Sequence, residues 1–238
     1  MLWGRARAAV RQLHPLHRSL VQDHKLAATL TPAGWQQLIA ALGTHHTVLP
    51  QRKYGLPDRV WTTFVPLLRV LSQDVDPAGT IEVVLDLRGP DAPGKSGPLV
   101  QVRPGVGEKH QVDPWLRIRA KLRDGSRLHL VLTTRIRLRT ITRRNPRGKV
   151  KRKQRQRALQ VVTATRTVPA GCPLTRPAVP PPAWIRVGIR TEPKVVLRVA
   201  AKGPQPSVRD EVQVVLAVMS ELFRWTPVAP AAPTRRRA

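Results

Sequence analysis

The chain has 238 residues, 41% of them hydrophobic, which is enough for one or two domains with a packed core and too apolar for a wholly disordered polymer. Against 42 Lys and Arg stand 14 Asp and Glu, a net charge of +28 that exceeds what solubility asks and points to a polyanionic partner. A single cysteine, Cys172, excludes an intramolecular disulfide and a cysteine-based zinc site.

The first residues carry positive charge with no apolar run behind them, so no secretory signal is expected. The longest apolar stretch, Val212 to Val218, is broken by Gln213 and falls short of the roughly 20 residues of a spanning helix. The expected location is therefore cytoplasmic or nucleoprotein-associated, a virion included. Arg outnumbers Lys while Phe and Tyr are scarce, the bias of a GC-rich coding sequence, and that bias alone inflates Arg everywhere. The charge is not spread in that way: residues 76–114 hold four basic and six acidic residues, whereas residues 115–157 hold 17 basic residues and one acid.

In chain order, residues 1–75 show apolar positions at helical spacing, chopped by prolines into three or four short helices. Thr31-Pro32 is a helix start and Gly43 a stop, with Trp35, Leu38, Ile39 and Leu42 on one face. Asp58 is expected to cap a helix in which Pro66 forces a kink or a second start. From Thr80 the period changes to two, and Ile81, Val83, Leu85 and Leu87 mark a half-buried strand. Leu99 to Arg103 reads as a short second strand and Pro104 to Pro114 as a loop.

Trp115 to Arg123 then alternates strictly. Leu116, Ile118, Ala120 and Leu122 lie on one face, and Arg117, Arg119, Lys121 and Arg123 on the other. After Asp124-Gly125-Ser126 the next strand continues with Leu128, Leu130, Leu132, Ile136 and Leu138 against Arg127, His129, Arg135, Arg137 and Arg139. A two-residue loop would set arginines opposite leucines, so parity predicts a three-residue loop that pairs Leu122 with Leu128. At about 3.3 Å per residue the strand to Thr142 reaches about 50 Å, long enough to project as an arm. Residues 143–157 hold nine basic residues and no acid (Arg143, Arg144, Arg147, Lys149, Lys151, Arg152, Lys153, Arg155, Arg157) and are expected to bridge to the strand-forming segment after Ala158 as a long loop or ribbon tip.

Pro169 to Pro182 is a Pro-rich linker, Trp184 to Arg190 and Lys194 to Ala200 form another strand pair, and Ser207 with Asp210 opens a last amphipathic helix along Val208, Val212, Val215, Leu216, Met219, Leu222 and Phe223. The chain thus divides into a helical region 1–75, a β-rich region 76–168 containing the basic hairpin 115–157, a linker 169–182, a β-hairpin plus helix 183–225, and a basic tail 226–238 expected to be disordered alone. The fold class is α+β, with a mainly antiparallel sheet, a long basic hairpin arm and a C-terminal helix packed on the sheet.

No catalytic group is predicted. Glu82 and Asp86 share a strand face, but surface acids belong at such positions and no nuclease-like arrangement with a nearby Lys is present. His14, His17, His45 and His46 do not converge as metal ligands by spacing, no phosphate-cradling glycine motif occurs, and no cofactor, metal or small-molecule substrate is expected. A helix-turn-helix reading of Ala33 to Leu42 leaves only Gln36, Gln37 and Ala40 for contacts, so packing helices are the better account. Opposed like charges destabilise an isolated sheet and suit phosphates, so all 17 basic residues from Arg117 to Arg157 are candidate nucleic-acid contacts. Trp115 is the one aromatic in that block able to stack on a base, so contacts to phosphate and sugar are expected, on RNA or duplex DNA. The expected function is a non-enzymatic nucleic-acid-binding protein within a nucleoprotein complex. The alternative is a structural assembly component of a virion, phage or mobile element whose arm meets packaged nucleic acid or neighbouring subunits.

Overall fold

A computed structural model describes residues 8–169, 172 and 174–226, so the expected basic tail lies, beyond Thr226, outside the described residues. Helices α1 (Pro15–Asp23), α2 (Pro32–Gly43), α3 (His45–Val48), α4 (Gln51–Tyr54) and α5 (Val65–Asp74) precede most of the sheet, and α6 (Glu211–Trp225) comes after it. The strands are β1 (Lys25–Leu30), β2 (Ile81–Asp86), β3 (Ser96–Arg103), β4 (Val106–Lys121), β5 (Arg127–Arg144), β6 (Val150–Thr167), β7 (Ile185–Arg190) and β8 (Val196–Pro204). They form one antiparallel eight-stranded sheet in the order β1-β2-β4-β5-β6-β8-β7, with β3 added on β4. The architecture is the expected α+β, and no described helix is long and apolar enough to cross a membrane.

Local chemistry accounts for the elements. The Thr31 hydroxyl accepts from the Gly34 N–H at 3.3 Å while Pro32 opens α2, and Trp35, Leu38, Ile39 and Leu42 are buried as expected. Asp58 contributes its carbonyl, not its carboxylate, to the start of the next helical segment. Pro66 cannot donate to the carbonyl four residues back, and the chain absorbs this as a π-helical turn over Val60–Phe64, closed by the Val65 N–H on the Val60 carbonyl, before continuing as α5.

Four expectations need correction. Lys25–Leu30 is an edge strand inside the region read as purely helical; its short run is bounded by the left-handed His24 and by Pro32, and its backbone pairs along β2. Residues 104–114 are not a loop: Pro104-Gly105 is a tight turn and Val106 starts β4. The C-terminal helix begins at Glu211, after a turn over Ser207–Asp210, which rotates the stripe so that Val218 is buried and Leu216 exposed. In the basic hairpin the three-residue loop is Arg123–Gly125, one residue earlier than expected, and Ala120 faces Leu128. The reason is Gly125, whose φ of +79° supplies the left-handed residue that must end such a loop.

One core spans the described chain. The inner sheet residues Ile81, Val83, Leu85, Leu116, Ile118, Leu130, Leu132, Val162, Leu197 and Val199 pack under α2, α5 and α6. A buried polar cluster ties distant segments together: Glu211 meets Arg59 at 3.2 Å, the Thr63 hydroxyl at 3.2 Å and the Gln160 amide at 2.7 Å, and Arg59 lies 4.7 Å over the Trp115 ring. Segment 174–182 is strapped to α6, with the Thr175 N–H on the Trp225 carbonyl and Arg224 on the Val179 carbonyl.

Among the helices His17 and His45 are buried with Nε2 of one 2.9 Å from Nδ1 of the other. Burial, and the neighbouring imidazoles, hold His17 down to about 4 and lower His45 from the ordinary 6.5. Below pH 6.5 the unfolded chain therefore binds protons that the folded pair refuses, so the contribution of the two histidines to stability is full above that pH and is lost as pH drops towards 4. Urea unfolding at stepped pH is expected to show a loss of about 2–3 kcal/mol over this window, and His17→Asn to flatten it.

Candidate nucleic-acid interface

The basic block is built on β5, which pairs with β6 through 18 successive residues from Arg127–Thr167 to Arg144–Val150 without a shift in register. Even positions Leu128, Leu130 and Leu132 face the core, so odd positions face out along the whole strand. The distal part of the β5–β6 ribbon, the arm, runs about 30 Å from Arg135 to Arg144 and is flanked by β4 as far as Ile141. Its tip repeats the chemistry of the other hairpin: Asn145 and Lys149 bracket Pro146-Arg147-Gly148, and Gly148 has φ +77°. The run 143–157 is thus paired strand on both sides of a tight tip and not a long loop.

Arg117, Arg119, Lys121 and Arg127 are exposed on the outer face of the body. Arg135, Arg137, Arg139, Arg143, Lys151, Lys153, Arg155 and Arg157 continue that face along the arm. Arg144 and Arg152 lie on the opposite face, Arg147 and Lys149 at the tip, and Arg123 in the loop at the far end of β5, where its Nε donates to the Val75 carbonyl at 3.2 Å. Like charges stand directly opposite: Arg137 faces Arg157, Arg139 faces Arg155, Arg143 faces Lys151, and across β4 Lys121 faces Arg127. Among the described residues the carboxylates within ion-pair reach of this face are Glu108, 3.5 Å from Arg139, and Glu82, 3.4 Å from Arg119.

Several side chains behave differently from their sequence reading. Trp115 is fully buried under Arg59 and is removed as a base-stacking surface. Arg186 and Arg190 on β7 and Arg198 and Lys202 on β8 share the outer face of β5 and escape the sequence reading; the signal for them is their alternation with Ile185, Leu197, Val199 and Ala201. His129 sits at the centre of this face, its Nε2 shielded from solvent without a hydrogen-bond partner. Burial lowers its pKa, and Arg119 and Arg117 lower it further, so it is neutral at pH 7.

Asp86 and Asp113 are occupied structurally. Asp86 pairs with Lys95 at 3.1 Å and with Arg88 at 2.9 Å; although burial opposes it, these bonds hold its carboxyl well below the ordinary range. Asp113 is 2.6 Å from the same Lys95, which closes the loop between β2 and β3. The described residues contain no group of three or more His, Cys, Asp or Glu that could hold a metal ion. No protein-family model, curated protein or solved structure matches the chain.

Short of the tip, the arrangement is a cationic sheet face whose charges are opposed to each other. Arg157→Glu places an acid opposite Arg137 and is expected to raise the urea-unfolding free energy by about 0.5–1 kcal/mol. An unchanged or lower value would show that the opposed charges cost the free protein nothing.

Proposed function

We propose that the protein is a non-enzymatic nucleic-acid-binding component of a nucleoprotein complex, holding phosphate backbones on the outer face and tip of its β5–β6 arm. The observation that carries this reading is the register. Direct opposition of Arg137 with Arg157, Arg139 with Arg155 and Arg143 with Lys151 disfavours the free sheet and is relieved by polyanionic phosphate. Arg suits this role because its planar fork engages two oxygens at once. With Trp115 buried, the block has no aromatic platform, so contacts fall on phosphate and sugar and sequence preference is weak. Nucleoprotein association, in the cytoplasm or a virion, is the location this reading implies.

Binding by counterion release is steeply salt-dependent. Titration of a nucleic-acid duplex over increasing salt is expected to give a log–log slope that falls in magnitude by roughly 2–3 when Arg137, Arg155 and Arg157 are changed together to Gln. Affinity that is independent of salt would overturn the phosphate reading.

A second reading, a structural assembly component, is favoured by the β3 edge, where Leu99, Val100 and Val102 are 60%, 54% and 57% exposed on a strand that has no further strand beyond it among the described residues. Light scattering on nuclease-treated protein separates the two: a discrete large oligomer supports assembly, a monomer or dimer the first reading.

A further inference from the structure

The outer face of the body is patterned, not uniformly basic. At the level of His129 the outward residues run Arg119 on β4, His129 on β5, Thr165 on β6 and Arg198 on β8. One step along they are Arg117, Val131, Thr163 and Ala200, with Arg186 beyond on β7. Two rims therefore flank a floor of short hydroxyl and neutral side chains on β5 and β6: a cationic one on β7–β8, and one on β4 where Glu82 of β2 lies 3.4 Å from Arg119 while Arg117 has no acid in ion-pair reach among the described residues. Arg127 closes that floor at the hairpin end. Three strand spacings separate β4 from β8, about 14 Å at the backbone. The floor is recessed, for concavities of about 640 and 380 Å³ meet at His129 and Thr165.

Resting on the nucleic-acid reading, we propose that this face takes double-stranded RNA across its minor groove, the two phosphate backbones on the rims and the Thr163 and Thr165 hydroxyls of the floor against 2′-hydroxyls. Groove shape selects the ligand. The minor groove of B-form DNA is only about 6 Å wide, too narrow to set a backbone on each rim. Its major groove is about 12 Å wide but about 8.5 Å deep, and threonines on a sheet do not reach base edges at that depth. The A-form minor groove is wide and shallow and displays 2′-hydroxyls, which both donate and accept. The floor offers matching chemistry, because the hydroxyls of Thr163 and Thr165 both donate and accept. Phosphates beyond the groove then fall on Arg135, Arg137 and Arg157 of the arm.

The test is competition between RNA and DNA duplexes of one sequence for the full chain and for Thr163→Val with Thr165→Val, a β-branched exchange that keeps strand shape, with folding checked by circular dichroism. RNA is expected to bind about tenfold more tightly than DNA, and the double variant to lose about that factor on RNA alone with its salt slope unchanged. Arg198→Gln, which removes a rim charge, is expected to weaken both duplexes and reduce the slope by about one. Equal binding of RNA and DNA, or tighter binding of the single RNA strand, overturns the groove proposal and leaves phosphate binding standing. Absence of binding to either duplex overturns both.

Discussion

The uninterrupted register of β5 on β6 is the constraint on which the rest depends. Because strand side chains alternate with a period of two, one choice of face in the body is carried without change to the tip. The helices make that choice: burying Leu128, Leu130 and Leu132 under them commits Arg127, Arg135, Arg137 and Arg139 to the other side. The partner strand inherits it, and Lys151, Lys153, Arg155 and Arg157 are set opposite. No local preference would choose opposed arginines; the ladder imposes them, and its 18 backbone pairs together with the buried leucines offset the repulsion.

Along the other edge of β5, the β4 strand does not keep its parity. Between Asp113 and Leu116 it carries one extra residue, so that Pro114 and Trp115 together stand against Thr133. Proline is tolerated there because a bulge has a ladder bond to spare. The bulge sends Arg117, Arg119 and Lys121 outward on the body while on the arm it is Val112, His110 and Glu108 that share the face of Arg135, Arg137 and Arg139. Charge is consequently broad across the body and concentrated on β5 and β6 in the arm, where Glu108 tempers only Arg139.

This bulge also explains what is legible in the sequence. Strict alternation from Leu116 onward makes the hairpin, its facing and the length of its loop readable, but not the loop's position, and Thr31-Pro32 marks the start of α2. Residues 104–114 read as a loop because their parity is shifted relative to the strand from Leu116 onward and because Pro104, Gly105, Gly107 and Pro114 look like loop punctuation. In fact Gly105 is required: its φ is +69° and an added Cβ would lie 2.5 Å from the Thr142 carbonyl oxygen. Trp115 reads as an available aromatic because a period of two says nothing about the second residue of a bulge. The phase of α6 is hidden for another reason, since Glu211 is buried by a tertiary cluster with Arg59, Thr63 and Gln160 that no local pattern announces.

Arg166 shows how completely placement decides the role of a charge. It lies on β6 like Arg155 and Arg157, but at an even position it points inward and is 1% exposed. There it is given partners: Asp124 and Ser126 of the β4–β5 loop, both oxygens of Thr226, and the face of Phe223 at 4.5 Å. A buried guanidinium without them would be untenable, whereas the solvated Arg155 and Arg157 need none. At the tip no helix of the described residues covers either face, and the even positions Arg144 and Arg152 are exposed as well. On the nucleic-acid reading, the body therefore presents phosphates with a single face, while the tip, cationic on both faces and in its turn, is suited to sit between backbones.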